Sequence, residues 1–171
     1  MVSKRLKIKA KSEGTLVLDA QGLSLHVDGD GDEGMRARIE VAQQSGRRVA
    51  LSALTPLEVR RTGEAAKRLR FLLSRFDVKP VNDAVTDAAA KLLDTSGLDG
   101  HACLGDALVV ATDALCLPPV LLVTPDKSHI PALCKAAEEL PGSPKVKIVN
   151  VGRSNAASLA AQVPTERPGL E

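Results

Sequence analysis

Residues 105–126 read Gly105-Asp-Ala-Leu-Val-Val-Ala-Thr-Asp-Ala-Leu-Cys-Leu-Pro-Pro-Val-Leu-Leu-Val-Thr-Pro-Asp126. The first half, 105–116, is apolar nearly all round, which predicts a helix buried on every side. Pro118-Pro119 ends it, because proline lacks the N–H that a helix needs and clashes with the preceding turn. Val120 to Val123 then forms a short unbroken apolar run, the pattern of a core strand. A buried helix feeding a buried strand points to a parallel sheet covered by helices on both faces.

The same alternation extends in both directions. Thr15 to Leu18 reads as a strand, and residues 33–45 as a helix with Met35, Ile39 and Ala42 on one face. Gly46-Arg-Arg leads into a strand at Val49 to Ser52. Thr55-Pro-Leu-Glu58 opens a helical stretch carrying Ala65, Ala66, Leu69, Leu72, Leu73 and Phe76, which Gly63 divides in two. Val78 to Val81 is the expected third strand. Asn82 or Asp83 caps a helix bearing Val85, Ala88, Ala89, Leu92 and Leu93, and Gly97 to Gly100 is a turn. Ser128 is the expected cap of a last helix, with Ile130, Leu133, Cys134, Ala137 and Leu140 inward, and Val146 to Val151 is a fifth strand. The expected organisation is one domain over 14–151, a basic arm at 1–13 and a proline-punctuated tail at 152–171.

With 171 residues, 44% hydrophobic and 26% charged, the chain has the profile of a globular domain with a real core. No apolar run approaches the roughly 20 residues that span a bilayer, and the start lacks an apolar signal region, so a cytoplasmic location is expected. A net charge of +2 does not by itself argue for nucleic acid. Its distribution is uneven: a basic start, a basic cluster of Arg60, Arg61, Lys67, Arg68 and Arg70, and an acidic run from Asp28 to Glu33. A solvated surface is the plainer account of each run. Cys103, Cys116 and Cys134 are odd in number and form no CxxC pair, so reduced, buried thiols are expected rather than zinc or a disulfide framework. With no Trp or Tyr and two Phe, there is no stacking platform for bases, and a nucleic acid would be gripped through its phosphates.

Four acids fall where apolar strands end or helices begin: Asp19, Glu58, Asp106 and Asp126. In a parallel α/β sheet these positions share one edge, the edge that binds ligands. Clustered carboxylates repel unless a cation neutralises them, which suggests Mg²⁺ or Mn²⁺ and phosphoryl chemistry. Each acid also has a structural account. Thr55-Pro-Leu-Glu58 fits a capping box, Asp106 complements a helix N-terminus, and Asp126 belongs in a turn before the Ser128 cap. Asp19 ends a strand with no evident capping pattern.

Leu18-Asp19-Ala20, Leu57-Glu58-Val59-Arg60-Arg61, Gly105-Asp106-Ala107-Leu108-Val109-Val110-Ala111 and Val123-Thr124-Pro125-Asp126 together resemble the PIN-domain family, most closely the VapC-like ribonuclease toxins of type II toxin–antitoxin pairs. The likeness spans roughly residues 14–151. It implies a three-layer α/β/α sandwich around a mostly parallel sheet of about five strands. It also implies a divalent-metal-dependent endoribonuclease in which Asp19, Glu58, Asp106 and Asp126 hold Mg²⁺ or Mn²⁺ and water attacks the RNA phosphodiester in line. Asp19 and Asp106 would be direct ligands. Thr124 matches the hydroxyl residue before the last acid, and Arg61 the arginine after the glutamate. Arg60 and Arg61 would grip the RNA backbone, and Thr124 would also contact the substrate. A small antitoxin protein is the implied partner, and a homodimer is a further option. Lys127 and His129 depart from the family pattern by standing where further acids are usual.

Other readings are weaker. The Asp28–Glu33 run fails as an EF-hand, since Glu33 stands where Gly is needed and Ile39 where the bidentate Glu belongs. His26, His101 and His129 are scattered and show no catalytic spacing. Neither GxxxxGK nor GxGxxG occurs, and Gln21 breaks a DxD phosphatase motif. A non-catalytic PIN-like binding module and a structure-specific DNA nuclease remain as alternatives.

Overall fold

The computed structural model describes residues 13–28, 33–142 and 145–151. The basic arm before residue 13, the middle of the acidic run and the tail from 152 lie outside the described residues. Among the described residues, five strands alternate with seven helices: β1 (Thr15–Leu18), α1 (Ala20–Asp28), α2 (Glu33–Gln44), β2 (Arg48–Ser52), α3 (Thr55–Glu58), α4 (Gly63–Leu73), β3 (Asp77–Lys79), α5 (Asp83–Ser96), α6 (Leu104–Asp113), β4 (Val120–Thr124), α7 (His129–Glu139) and β5 (Val146–Asn150). The strands form one sheet in the order β3-β2-β1-β4-β5, and every pairing is parallel. The expected parallel α/β architecture is present.

Side-chain alternation along the strands builds two cores. Val17, Ala50, Val120 and Leu122 point to one face, where α5, α6 and α7 supply Val85, Leu92, Val109, Ile130 and Leu133. Leu16, Leu18, Val49, Leu51 and Val123 point to the other, against Leu23, Val27, Met35, Ile39 and Leu69 from α1, α2 and α4. Because both faces are covered, the strands read as continuous apolar runs. The result is a three-layer sandwich.

Strand order reverses between β1 and β4: β2 and β3 extend to one side, β5 to the other. In open α/β sheets a crevice forms outside the carboxyl ends of the strands at such a switch point. Asp19 follows β1 directly and Asp126 follows β4. Two of the four acids therefore stand on adjacent strands at the switch.

Several elements depart from the sequence expectation. Helix α1 was not anticipated, because Gly22 and Ser24 mask the Leu23/Val27 spacing that faces the core. β3 spans Asp77–Lys79 rather than 78–81, since Pro80 has no N–H to donate to the β2 edge. Helix α6 stops at Asp113, and residues 114–116 tighten into a turn with Leu115 N–H donating to Thr112 O. Asn82 is the cap of α5, its side chain accepting from Val85 N–H at 3.0 Å, an arrangement worth about 1 kcal/mol. The three cysteines are free and buried, as expected. Among the described residues, no helix is long and apolar enough to cross a membrane.

Candidate active site

Asp19, Glu58, Asp106 and Asp126 line a single cleft of about 430 Å³, together with Ala20, Gln21, Gly105, Val109, Pro125 and His129. Among the described residues, no lysine or arginine is in that lining. Each acid arrives by a different local route.

Asp19 is 7% exposed, and its Oδ1 accepts from Gly22 N–H at 2.6 Å. It therefore caps α1, although the sequence shows no evident capping pattern there. The Thr124 side chain also hydrogen-bonds it. Burial is the main force raising the Asp19 carboxyl above its ordinary value; those two hydrogen bonds oppose it, and the charges of Asp106 and Asp126 add to it.

Glu58 closes α3, and the capping box expected for Thr55-Pro-Leu-Glu58 does not form. Leu54 occupies the cap position without a side-chain bond, and the buried Thr55 hydroxyl has no partner among the described residues. Glu58 instead reaches toward α6. A Cβ placed on Gly105 would lie 2.8 Å from Glu58 Oε1, so only glycine there lets the carboxylate come this close to the α6 N-terminus. Burial, then Asp106 and Asp19, raise the Glu58 carboxyl. A Gly105→Ala variant is expected to fold, since the clash falls on the end of a flexible side chain, but to displace Glu58. Titration with Mn²⁺ followed by electron paramagnetic resonance checks this: affinity falls severalfold, whereas unchanged affinity would separate Glu58 from metal binding.

Asp106 lies in the first turn of α6, with His129 Nδ1 3.3 Å from its Oδ2. Burial and Asp126 raise its carboxyl, while His129 works in the opposite direction. Asp126 caps α7: Ser128 N–H donates to Oδ1 at 2.8 Å, and His129 and Ile130 N–H donate to Oδ2 at 3.1 and 2.9 Å. Ser128, expected as the cap, makes no side-chain cap bond to the helix and instead donates its hydroxyl to Asp126. Burial pushes the Asp126 carboxyl up, but these donors outweigh it and hold it below the usual range.

The remaining predicted residues fare differently. Thr124 is fully buried, and its hydroxyl accepts from Asp126 N–H at 3.0 Å. It orients the acids rather than meeting substrate, a correction imposed by its burial. Arg61 does not face the cleft. Its Nε and Nη2 grip Asp28 at 2.7 and 2.8 Å, and Nη2 also bonds Ser24. That bidentate pair locks α1 to the segment after α3 and occupies the fork a phosphate would need. Arg60 is exposed. His129, set aside as scattered, belongs to the cleft, and Cys103 lies beside it. Their position could have been read from Cys103 falling three residues before Asp106 and His129 three after Asp126.

The donor set fits a hard divalent cation. Four carboxylates converge, three with raised carboxyl pKa values partly because of one another, and among the described residues that line the cleft His129 is the only basic side chain. Oxygen donors of this kind suit Mg²⁺ or Mn²⁺.

The fold is a fully parallel five-stranded sheet, covered on both faces and with acids at the switch edge. Solved structures share it. The VapBC2 complex of Rickettsia felis bound to a promoter DNA fragment matches at TM-score 0.56 and 13% identity, covering 81% of this chain and 99% of that one. A toxin–antitoxin complex from Klebsiella pneumoniae matches at 0.54 and 19%, covering 80% and 97%. FitAcB from Neisseria gonorrhoeae matches at 0.56 and 17%, covering 80% and 97%. At these identities the likeness is one of fold. No protein-family model and no curated protein matches the chain.

Proposed function

We propose that this protein is a divalent-metal-dependent endoribonuclease, a toxin restrained by a small antitoxin. The observation that carries this reading is the convergence of Asp19, Glu58, Asp106 and Asp126 on one cleft. Asp19 and Asp106 are the direct ligands of Mg²⁺ or Mn²⁺. Glu58 and Asp126 complete the shell, Asp126 with much of its lone-pair capacity already given to the α7 backbone. A bound ion of this class lowers the pKa of water and offsets charge on a phosphodiester. The chain's own part is positioning: Thr124 and Gly22 fix Asp19, and Gly105 admits Glu58.

One of the similar structures is a toxin–antitoxin complex, from Klebsiella pneumoniae, and the proposal carries that partnership to this chain. An arginine from the partner would pair with the carboxylates, because its planar fork suits them, and would compete with the metal. RNA binding falls to exposed bases near the cleft, Arg60 first. Arg60→Ala is expected to weaken RNA binding uniformly across sequences and lower the salt slope by about 1. An unchanged slope would remove Arg60 from the phosphate path.

The test of the function is digestion of total RNA, with structured DNA in parallel, in the presence of Mg²⁺ or Mn²⁺. RNA fragments bearing 5′-phosphates are expected. Cleavage of DNA alone would select the DNA-nuclease alternative, and binding without cleavage the non-catalytic one.

A further inference from the structure

At the rim of the acidic cleft, Cys103, Asp106 and His129 bring three different donors together. Cys103 occupies the cap position of α6, Asp106 lies in its first turn, and His129 opens α7. Cys103 Sγ, an Asp106 oxygen and a His129 ring nitrogen all lie within 4.8 Å of one another. His129 Nδ1 and Asp106 Oδ2 are already 3.3 Å apart. The Cys103 side chain is 2% exposed, and its thiol has no hydrogen-bond partner among the described residues. A buried, unpartnered thiol directed at a carboxylate and an imidazole has no evident packing role that a small apolar residue would not fill.

We propose that Cys103, Asp106 and His129 form a binding site for a thiophilic divalent cation of the Zn²⁺ class, adjoining the all-oxygen site and sharing Asp106 with it. Thiolate and imidazole favour zinc over magnesium, whereas the four carboxylates favour magnesium or manganese. Zinc bonds of about 2.0–2.3 Å set ligand separations of roughly 3.3–3.8 Å in a tetrahedron. The Asp106–His129 pair already has that spacing, and the His129 side chain, 46% exposed, is free to make the remaining adjustment. The fourth position opens to water in the cleft. Binding displaces the Cys103 S–H proton to solvent, and the imidazole binds through Nδ1 while carrying its single proton on Nε2. The CxxC spacing test misses this site because its donors come from two helices.

Zinc binding stands on these donors alone. Its consequence for cleavage rests on the nuclease reading: an Asp106 oxygen engaged by zinc is withdrawn from the magnesium site, so zinc inhibits.

The test is titration of the reduced protein with Co²⁺, followed by Zn²⁺. One equivalent of Co²⁺ is expected to give a near-ultraviolet thiolate charge-transfer band, with tetrahedral bands in the visible. Zn²⁺ should bleach both, and excess Mg²⁺ should not. Cys103→Ser abolishes the charge-transfer band, and His129→Ala weakens Zn²⁺ binding at least tenfold. His129 is exposed enough that its variant decides the matter even if Cys103→Ser fails to fold. Asp19→Asn retains the band, which separates this site from the proposed catalytic one. No band in the wild type, or a band that survives in Cys103→Ser, overturns the proposal whether or not the protein cleaves RNA.

Discussion

Asp19→Asn is expected to lower metal-dependent RNA cleavage by about a hundredfold or more while leaving the fold intact. The factor corresponds to roughly 3 kcal/mol of lost charge stabilisation, the scale at which a catalytic cation acts. The fold survives because asparagine caps helices as well as aspartate does, so the bond from Gly22 N–H to the side-chain oxygen is retained. Without metal, the variant is expected to gain stability at neutral pH. The Asp19 carboxyl is raised in the folded protein, by burial first and then by Asp106 and Asp126. A raised acid binds more protons folded than unfolded, so its contribution is fully present below the unfolded value of 3.8 and is lost as pH climbs through the folded value. Removing the charge removes that loss. Asp106→Asn follows the same logic. Cleavage assays and apo melting curves measured side by side check both effects. Full activity in both variants, with metal still required, would take these two residues out of the ligand set.

How much of this was legible in the sequence follows from where its periodicities are strong. The β1 and β4 runs and the uniformly apolar α6 announce a parallel sheet directly, because burial on both faces leaves no polar positions. α1 was not legible, since Gly22 and Ser24 break its apolar stripe. Gly22 is nonetheless tied to the site: a Cβ there would stand 3.1 Å from Asp19 Oδ1 and 3.3 Å from Val123 O. The convergence of the acids could be anticipated from strand ends alone. What each acid does locally could not. The capping box at Glu58 was a false signal and the caps at Asp19 and Asp126 were missed or given to Ser128, because cap geometry depends on backbone angles that spacing does not encode. Arg61 likewise looked free in sequence, and its partner Asp28 lies 33 positions away.

The largest stability effect is expected at a residue that no motif marked. Asp113 ends α6, is 1% exposed, and neither of its carboxylate oxygens has a hydrogen-bond partner among the described residues. It borders a small apolar cavity of about 30 Å³ with Leu92, Val110, Ala137 and Leu140. Burial holds its carboxyl well above the ordinary value. Its position at a helix C-terminus disfavours the negative charge further. The folded protein therefore retains a proton that the unfolded chain gives up above 3.8. By linkage, stability falls as pH rises from the unfolded value toward the folded one. Asp113→Ala is expected to raise stability at pH 7 by about 1–3 kcal/mol, the cost of an unsatisfied buried polar group, less a small cavity term. The gain should shrink as pH falls through 3.8, below which the carboxyl becomes neutral in both states. Asp113→Asn should flatten the same pH dependence with a smaller gain, because its amide is also left without partners. Urea unfolding of the three proteins between pH 4 and 8 checks the sign and the slope. A loss of stability at pH 7 in Asp113→Ala would mean that the carboxylate is charged and paired in the folded chain.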